Sequence, residues 1–389
     1  MSWNTVIGQD AAKSFLRASL RAGRTAHAYL FSGPAGVGKR TTAFALAQAL
    51  LCHEPPAPDE ACGACRSCRW LAAREGLACG HPDLIVPIRY LASSERVLGD
   101  QEQLIPRETM QELSKQLHLA PRSGSRRVAL IPEAHRMCLG QAEAANSFLK
   151  TLEEPPPHAV AILTSSRPEA LLETIVSRCQ LLAFRRLSLE QIGEGLRQAR
   201  SGTERDLAAA LADGSLGRAR ELLEGDLGRW RAAVMKGLEL SAPAGALNFG
   251  LGLWSIADAE GARLFQGAKD AAREETPPED EDEGEDPSAR EAEEAQKTAS
   301  GWKRFVFTRL LDLCEVAFRD ALVRAAGAGE EALLQRDQAR LAEKLAGQYG
   351  VEGCERILAA LREARLATRL YVNGALVGRM LAGRMAEAP

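Results

Sequence analysis

The run Gly33-Pro34-Ala35-Gly36-Val37-Gly38-Lys39 constrains this chain more than any other stretch. It follows a short apolar segment, Ala28–Phe31, and leads into the Ala/Leu-rich segment Thr41–Leu51. A GxxxxGK spacing between a strand and a helix lets backbone N–H groups turn inward on phosphate oxygens, and the helix N-terminus adds positive potential. Gly33, Gly36 and Gly38 permit the turn, and Lys39 is placed to reach the outer phosphates of ATP or ADP.

The surrounding pattern fits such a loop. Leu84–Ile88, Val128–Ile131 and Val160–Leu163 read as buried strands, while Asp10–Arg21, Arg107–Leu117 and Gly140–Leu152 carry helical periodicity. Strands alternating with helices predict an α/β domain over residues 1–186, with a mostly parallel sheet covered on both faces. From Ser188 to about Gly225 the pattern turns helical, predicting a small helical domain over 187–225. Residues 226–389 are helical again, with amphipathic stretches at Ala332–Leu345 and Glu355–Leu381 suited to packing on each other or on partner subunits. Within them, 274–296 hold twelve acids and one base and read as a disordered, solvated linker. Outside that tract stand 48 basic against 40 acidic residues, a balance compatible with a nucleic-acid partner. Arg122, Arg126 and Arg127 form a basic loop before the third strand.

Two positions depart from what a hydrolytic phosphate loop needs. The residue after the lysine should carry a hydroxyl that binds Mg²⁺, and here it is Arg40, followed by Thr41 and Thr42. A guanidinium cannot ligate a metal. The strand Val128–Ile131 ends in Pro132-Glu133-Ala134-His135, so Pro132 stands where a magnesium-holding Asp belongs, while Glu133, a water-activating base in such sites, is kept. Nucleotide binding is expected to persist, Mg²⁺ placement is in doubt, and hydrolysis is expected to be poor.

Of nine cysteines, Cys52, Cys62, Cys65 and Cys68 cluster as Cx9CxxCxxC. Four thiolates satisfy a tetrahedral Zn²⁺ and leave no open position, which predicts a structural metal module over 52–68. His53 and His81 are spare nitrogen ligands nearby. The longest apolar runs, Val128–Pro132 and Ala159–Leu163, are strand-length and far below the ~20 residues of a membrane span. No basic patch followed by an apolar run opens the chain, so a cytoplasmic protein without membrane association is expected.

Further runs carry a resemblance: Ile7-Gly8-Gln9, His27-Ala28-Tyr29-Leu30-Phe31, the cysteine insertion, His81-Pro82-Asp83-Leu84, Asn146-Ser147-Phe148-Leu149-Lys150-Thr151-Leu152-Glu153-Glu154-Pro155-Pro156 and Ser177-Arg178-Cys179. Over about residues 1–225 the chain resembles bacterial DNA polymerase III clamp-loader subunits, the AAA+ proteins gamma/tau and delta-prime. The resemblance implies a P-loop AAA+ (RecA-like) domain, a helical lid and a helical collar that builds a heteropentameric ring. It implies gamma/tau and delta as partners, together with the sliding clamp and primer–template DNA. It also implies that Arg178 reaches a neighbour's ATP site as an arginine finger. Sensor-type polar residues fall among Thr164, Ser165 and Ser166, with Ser165 at the strand end, and the lid's sensor arginine matches Arg218, two residues from Arg220. Arg40 and Pro132 beside a preserved Arg178 fit the delta-prime kind, which donates the finger without hydrolysing ATP. Two other readings stay open: a gamma/tau-type ATPase in which Thr41 and Glu133 take over the metal, and a zinc-stabilised nucleotide-binding regulator outside replication.

Overall fold

The computed structural model describes residues 3–72, 80–87, 104–197, 202–224, 227–240, 246–275, 289–370 and 372–388. These divide into two compact units, one running up to residue 223 and the other from 224 onward. In the first, the apolar runs that form the first four strands bury both of their faces, while the edge strand Gln180–Ala183 buries only Leu182. The strands β1 (Ala28–Ser32), β2 (Leu84–Ile85), β3 (Arg127–Ile131), β4 (Ala159–Ser165) and β5 (Gln180–Ala183) pair in parallel in the order β2-β3-β4-β1-β5. This is the α/β class with a parallel sheet that the sequence implied.

Helices cover both faces. Tyr29 and Phe31 of β1 face one side with Leu16 and Leu20 of α1 (Asp10–Arg21) and Leu46 of α2 (Lys39–Leu51). Leu30 faces the other side, where Met110 and Leu113 of α4 (Arg107–His118) join Phe148 of α5 (Glu143–Glu153) and Ile175 of α6 (Glu173–Val176). A short α3 (Arg66–Ala72) follows the cysteine run. Beyond β5, α7 (Leu189–Gly195), α8 (Thr203–Leu211) and α9 (Leu216–Glu224) close a small core of Leu187, Ile192, Leu196, Ala209 and Ala219. Ser188 caps α7 in a reciprocal box with Gln191.

The second unit is helical: α10 (Leu227–Leu240), α11 (Ala246–Glu275), α12 (Ala289–Ala325), α13 (Ala339–Arg369) and α14 (Gly374–Ala386). Its interior holds Trp230, Phe307, Leu310, Phe318, Leu345 and Ile357. The periodic run 355–381 is two helices rather than one, because the Asn373 side chain accepts from the Ala375 and Leu376 N–H groups and starts α14 anew.

Other expectations need correcting. The acidic tract is not a linker over its whole length: α11 runs through Glu275 and α12 resumes at Ala289, leaving 276–288 outside the described residues. The second strand ends at Ile85, and Ile88 lies outside the described residues, as does Cys79. The helix expected from Gly140 starts at Glu143, since Gly140 and Ala142 take left-handed backbone at φ 68° and 54°. Arg127 is not part of a solvated basic loop. It is buried in β3, its Nε 3.5 Å from an Asp83 oxygen. The buried Asp83 also accepts from the N–H groups of Arg122 and Ser123 and from the Ser123 hydroxyl.

Burial pushes the Asp83 carboxyl up, but these donors outweigh it and hold it below its ordinary range. Its stabilisation is therefore complete above the unfolded value of about 3.9 and fades as pH falls through the lower folded value. Asp83→Ala should cost about 3–5 kcal/mol by leaving the Arg127 charge and several donors buried and unpaired, read from the midpoint of urea unfolding.

Candidate functional site

Strand order puts the C-terminal ends of β3, β4 and β1 side by side, and the candidate site is built there. The loop leaving β1 is positioned by its glycines. A Cβ on Gly33 would lie 2.2 Å from the Phe184 carbonyl oxygen, and Gly36 and Gly38 hold φ of 69° and 102°. Lys39 is the first residue of α2, buried, with its ammonium donating to the Gly33 and Pro34 carbonyls at 2.6 and 2.7 Å. Burial lowers its pKa and Glu133 opposes the shift; the same two causes act on Arg40. Thr41 is half-buried, whereas the Thr42 hydroxyl is spent on the Gly38 carbonyl at 2.8 Å.

Pro132 ends β3, and Glu133 follows with left-handed backbone at φ 44°. Its carboxylate accepts from the Ser166 N–H at 3.0 Å and the Ser166 hydroxyl at 2.5 Å. His135 Nδ1 lies 3.4 Å from the same oxygen and 3.0 Å from Ser165 Oγ. Burial lowers the His135 pKa, with Glu133 opposing, so the ring is neutral near pH 7. Ser165 is fully buried, and its carbonyl accepts the Gly33 N–H. Glu133 thus lies within electrostatic reach of three cations, Lys39, Arg40 and Arg136, and no second carboxylate groups with it as a metal site among the described residues.

Two contributors were not visible as functional in the sequence. Gln9 donates from Nε2 to the carbonyls of Val37 and Arg185 at 3.2 and 2.7 Å and accepts the Arg185 N–H, bracing the loop against the chain leaving β5. Gly217 donates its N–H to the Gly36 carbonyl at 3.0 Å. Arg218, beside it, gives its backbone N–H to Ser215 Oγ at 3.1 Å as α9 begins. Arg178 lies just past α6, away from this cluster. It donates to Glu153 at 2.8 Å and to the Thr174 carbonyl at 3.0 Å, keeping about a third of its side chain exposed.

The four clustered cysteines do converge. Their sulfurs all lie within 4.8 Å of one another, with Cys52–Cys62 at 3.6 Å and both Cys52–Cys65 and Cys62–Cys68 at 4.0 Å. Thiolates about 2.3 Å from a tetrahedral ion stand about 3.8 Å apart, so this set fits a metal of that geometry. The N–H groups of Cys62, Cys65 and Cys68 point at the Cys52, Cys62 and Cys65 sulfurs, which favours thiolates. Burial pushes the Cys52 and Cys68 thiols up. At Cys65 burial acts the same way, but hydrogen bonds led by the Cys68 N–H outweigh it and bring it down to about 6. His81 is no ligand: Nδ1 accepts the Asp83 N–H at 3.0 Å and Nε2 meets Ser67 Oγ at 2.9 Å, while that hydroxyl donates to the Leu51 carbonyl.

Adding Zn²⁺ to metal-free chain should show one site per molecule and stabilise the fold by about 2.7 kcal/mol at a hundredfold excess over Kd, read by calorimetry and thermal melting. Cys68→Ser should abolish the increment.

The family described as DNA polymerase III, delta subunit, matches residues 8–188. The tau subunit of Bacillus subtilis DNA polymerase III is 33% identical over 187 residues, 48% of this chain and 30% of that one. The delta′ subunit from Pseudomonas aeruginosa is 40% identical over 154 residues, 40% of this chain and 42% of its own. The tau subunit of Salmonella typhimurium is 32% identical over 277 residues, 69% of this chain and 40% of its own. The chain spans less than half the length of each of these relatives. Over residues 8–188 the chain is similar to DNA polymerase III subunits, tau and delta′ among them.

Proposed function

We propose that this chain is a delta-prime subunit of a DNA polymerase III clamp loader: a ring member that keeps a phosphate-binding loop, is itself a poor or inactive ATPase, and lends Arg178 to a neighbour. The observation that carries this reading is the pairing of Arg40 and Pro132 at the two magnesium positions with an outward Arg178. The N–H groups of the loop, with Lys39 and Arg40, would hold phosphates, while a guanidinium and a proline offer no metal ligand. One Glu133 carboxylate oxygen is tied to the Ser166 N–H and hydroxyl, contacts that occupy it rather than leave it free for water. Arg178, about a third exposed, is held by a surface ion pair with Glu153, the Thr174 carbonyl and the Ser177 hydroxyl, contacts that a partner's phosphate can displace at small cost. At the neighbour's site it would stabilise charge on the transferring phosphoryl group.

In this reading residues 1–186 form the nucleotide domain, 187–225 the lid and 226–389 the collar, with gamma/tau and delta as ring partners around the sliding clamp and primer–template DNA. The cysteine set would hold a structural Zn²⁺ with no open position. No helix among the described residues is long and apolar enough to cross a membrane, in keeping with a cytoplasmic place of work. A groove of ≈ 930 Å³ between α4 and α5, lined by Arg107, Lys115, His118 and Lys150 with Glu143 as its one acid, supports contact with a phosphate backbone.

The isolated chain should turn over ATP at background rate. In a ring reconstituted with gamma/tau and delta, Arg178→Ala should cut hydrolysis at the adjoining site by about a thousandfold or more. Rapid turnover by the isolated chain would overturn the reading. Lys150→Ala should weaken DNA binding and flatten the salt dependence of log K by about one unit, measured by fluorescence anisotropy across salt concentrations.

A further inference from the structure

Around the cysteine cluster the acids are spent inward and the bases are left outward. Asp59 and Glu60 are held by Arg17 and Arg21, and Asp83 by Arg127. Arg66 and Arg69 of α3, and Arg122 and Arg126 of the turn before β3, pair with no carboxylate among the described residues. Arg66, Arg69 and Arg122 are exposed; Arg126 is half-buried and donates to the Pro157 carbonyl at 3.0 Å. Against these guanidiniums stands Glu54, exposed beside His53.

The two basic segments flank one small module. His81 joins them: Nε2 meets Ser67 Oγ of α3 at 2.9 Å, and Nδ1 accepts the N–H of Asp83, whose carboxylate fixes the turn at Arg122 and Ser123. Further along that turn, a Cβ on Gly124 would stand 4.0 Å from the His53 ring, next to Cys52.

Trp70 gives this face something a plain cationic patch lacks. It is half-buried on α3, with the Arg66 guanidinium carbon 4.4 Å from the centre of its ring. The His81 ring meets it edge-on at 5.5 Å and 89°. His81 is held at both nitrogens, so the indole is positioned before any ligand arrives. Residues 66, 69 and 70 stand at i, i+3 and i+4 and share one side of the helix. Indole and guanidinium planes stack on any base, while guanidiniums also take phosphates, and together these serve sequence-neutral binding of a single strand. A duplex hides its base faces and would meet the charges alone.

The geometry points to the exposed face of the cysteine module as a binding surface for single-stranded DNA, with Trp70 and Arg66 under the bases and Arg69 and Arg122 on the phosphates. This surface is separate from the groove between α4 and α5, whose lining holds no indole or phenyl ring. It does not depend on nucleotide at residues 33–39. That the strand is DNA rather than RNA rests on the proposed function.

Anisotropy of a fluorescein-labelled dT 15-mer mixed with the full chain tests it. An abasic 15-mer of equal charge should bind about tenfold more weakly, and Trp70→Ala should bring dT down to the abasic level. Arg69→Ala combined with Arg122→Ala should cut affinity about tenfold and flatten the salt dependence of log K by about 1.4, two phosphate contacts at about 0.7 each. Equal binding of the dT and abasic probes, unchanged affinity in the arginine pair, or competition by polyglutamate as effective as by dT would overturn the surface. Should Trp70→Ala fail to fold, the abasic comparison on the wild type decides. A uridine 15-mer bound more tightly than dT would overturn the DNA assignment and count against the replication reading, whereas the abasic and arginine results judge the surface itself.

Discussion

Glu133 carries the charge around which this site is arranged. Its carboxylate is engaged by both donors of Ser166, faces a buried imidazole, and is near enough to Lys39 and Arg40 to raise the pKa values of both against the effect of burial. A divalent ion in such a site needs a hydroxyl and a second carboxylate, and at those positions the chain has a guanidinium and a proline. The two departures are physically coupled. An arginine beside the loop lysine would be repelled by a resident Mg²⁺, and in its place balances Glu133. Restoring the Asp alone would therefore leave a cation where the metal should go.

Local chemistry explains which parts of the site could be read from residues alone. The loop glycines, Lys39 and the CxxC turns act on neighbours a few positions away, so spacing suffices to recognise them. Gln9 acts on Val37 and Arg185, 28 and 176 residues off, and no local pattern announces that. Ser166 rather than Ser165 meets Glu133 because β4 runs through Ser165, whose carbonyl is committed to Gly33, and Ser166 is the first residue free to turn. At the lid, Arg218 drew notice by its charge, while the glycine before it gives its N–H to the Gly36 carbonyl. The edge strand β5 escaped for a related reason: only Leu182 of its four residues is buried, too little to show an alternation.

Several runs that carry the family resemblance prove to be joints. His81 ties β2 to α3 through Ser67 while accepting the Asp83 N–H, and Asp83 in turn pins the turn at Arg122 and Ser123 to Arg127. Glu153, from the Lys150–Pro156 run, pairs with Arg178, from the Ser177–Cys179 run, so two separate signatures meet in one ion pair. The pair orients a guanidinium without burying it.

The cysteine cluster belongs to the same framework. Cys52 closes the C-terminal end of α2, the helix whose N-terminal end is the phosphate loop. Asp59, between Cys52 and Cys62, is buried and held by Arg17 and Arg21 of α1, and its carbonyl accepts the Trp3 indole N–H. Those hydrogen bonds and charges hold its carboxyl below the ordinary range, the Arg21 contact foremost. Helix α1 follows directly on Gln9, the residue that braces Val37. One small cysteine-bearing insertion therefore grips the far end of α2 and the body of α1, and through them both sides of the loop. A metal in that cluster would act on the loop by stiffness, at the length of a helix, with no ligand of its own near the phosphates.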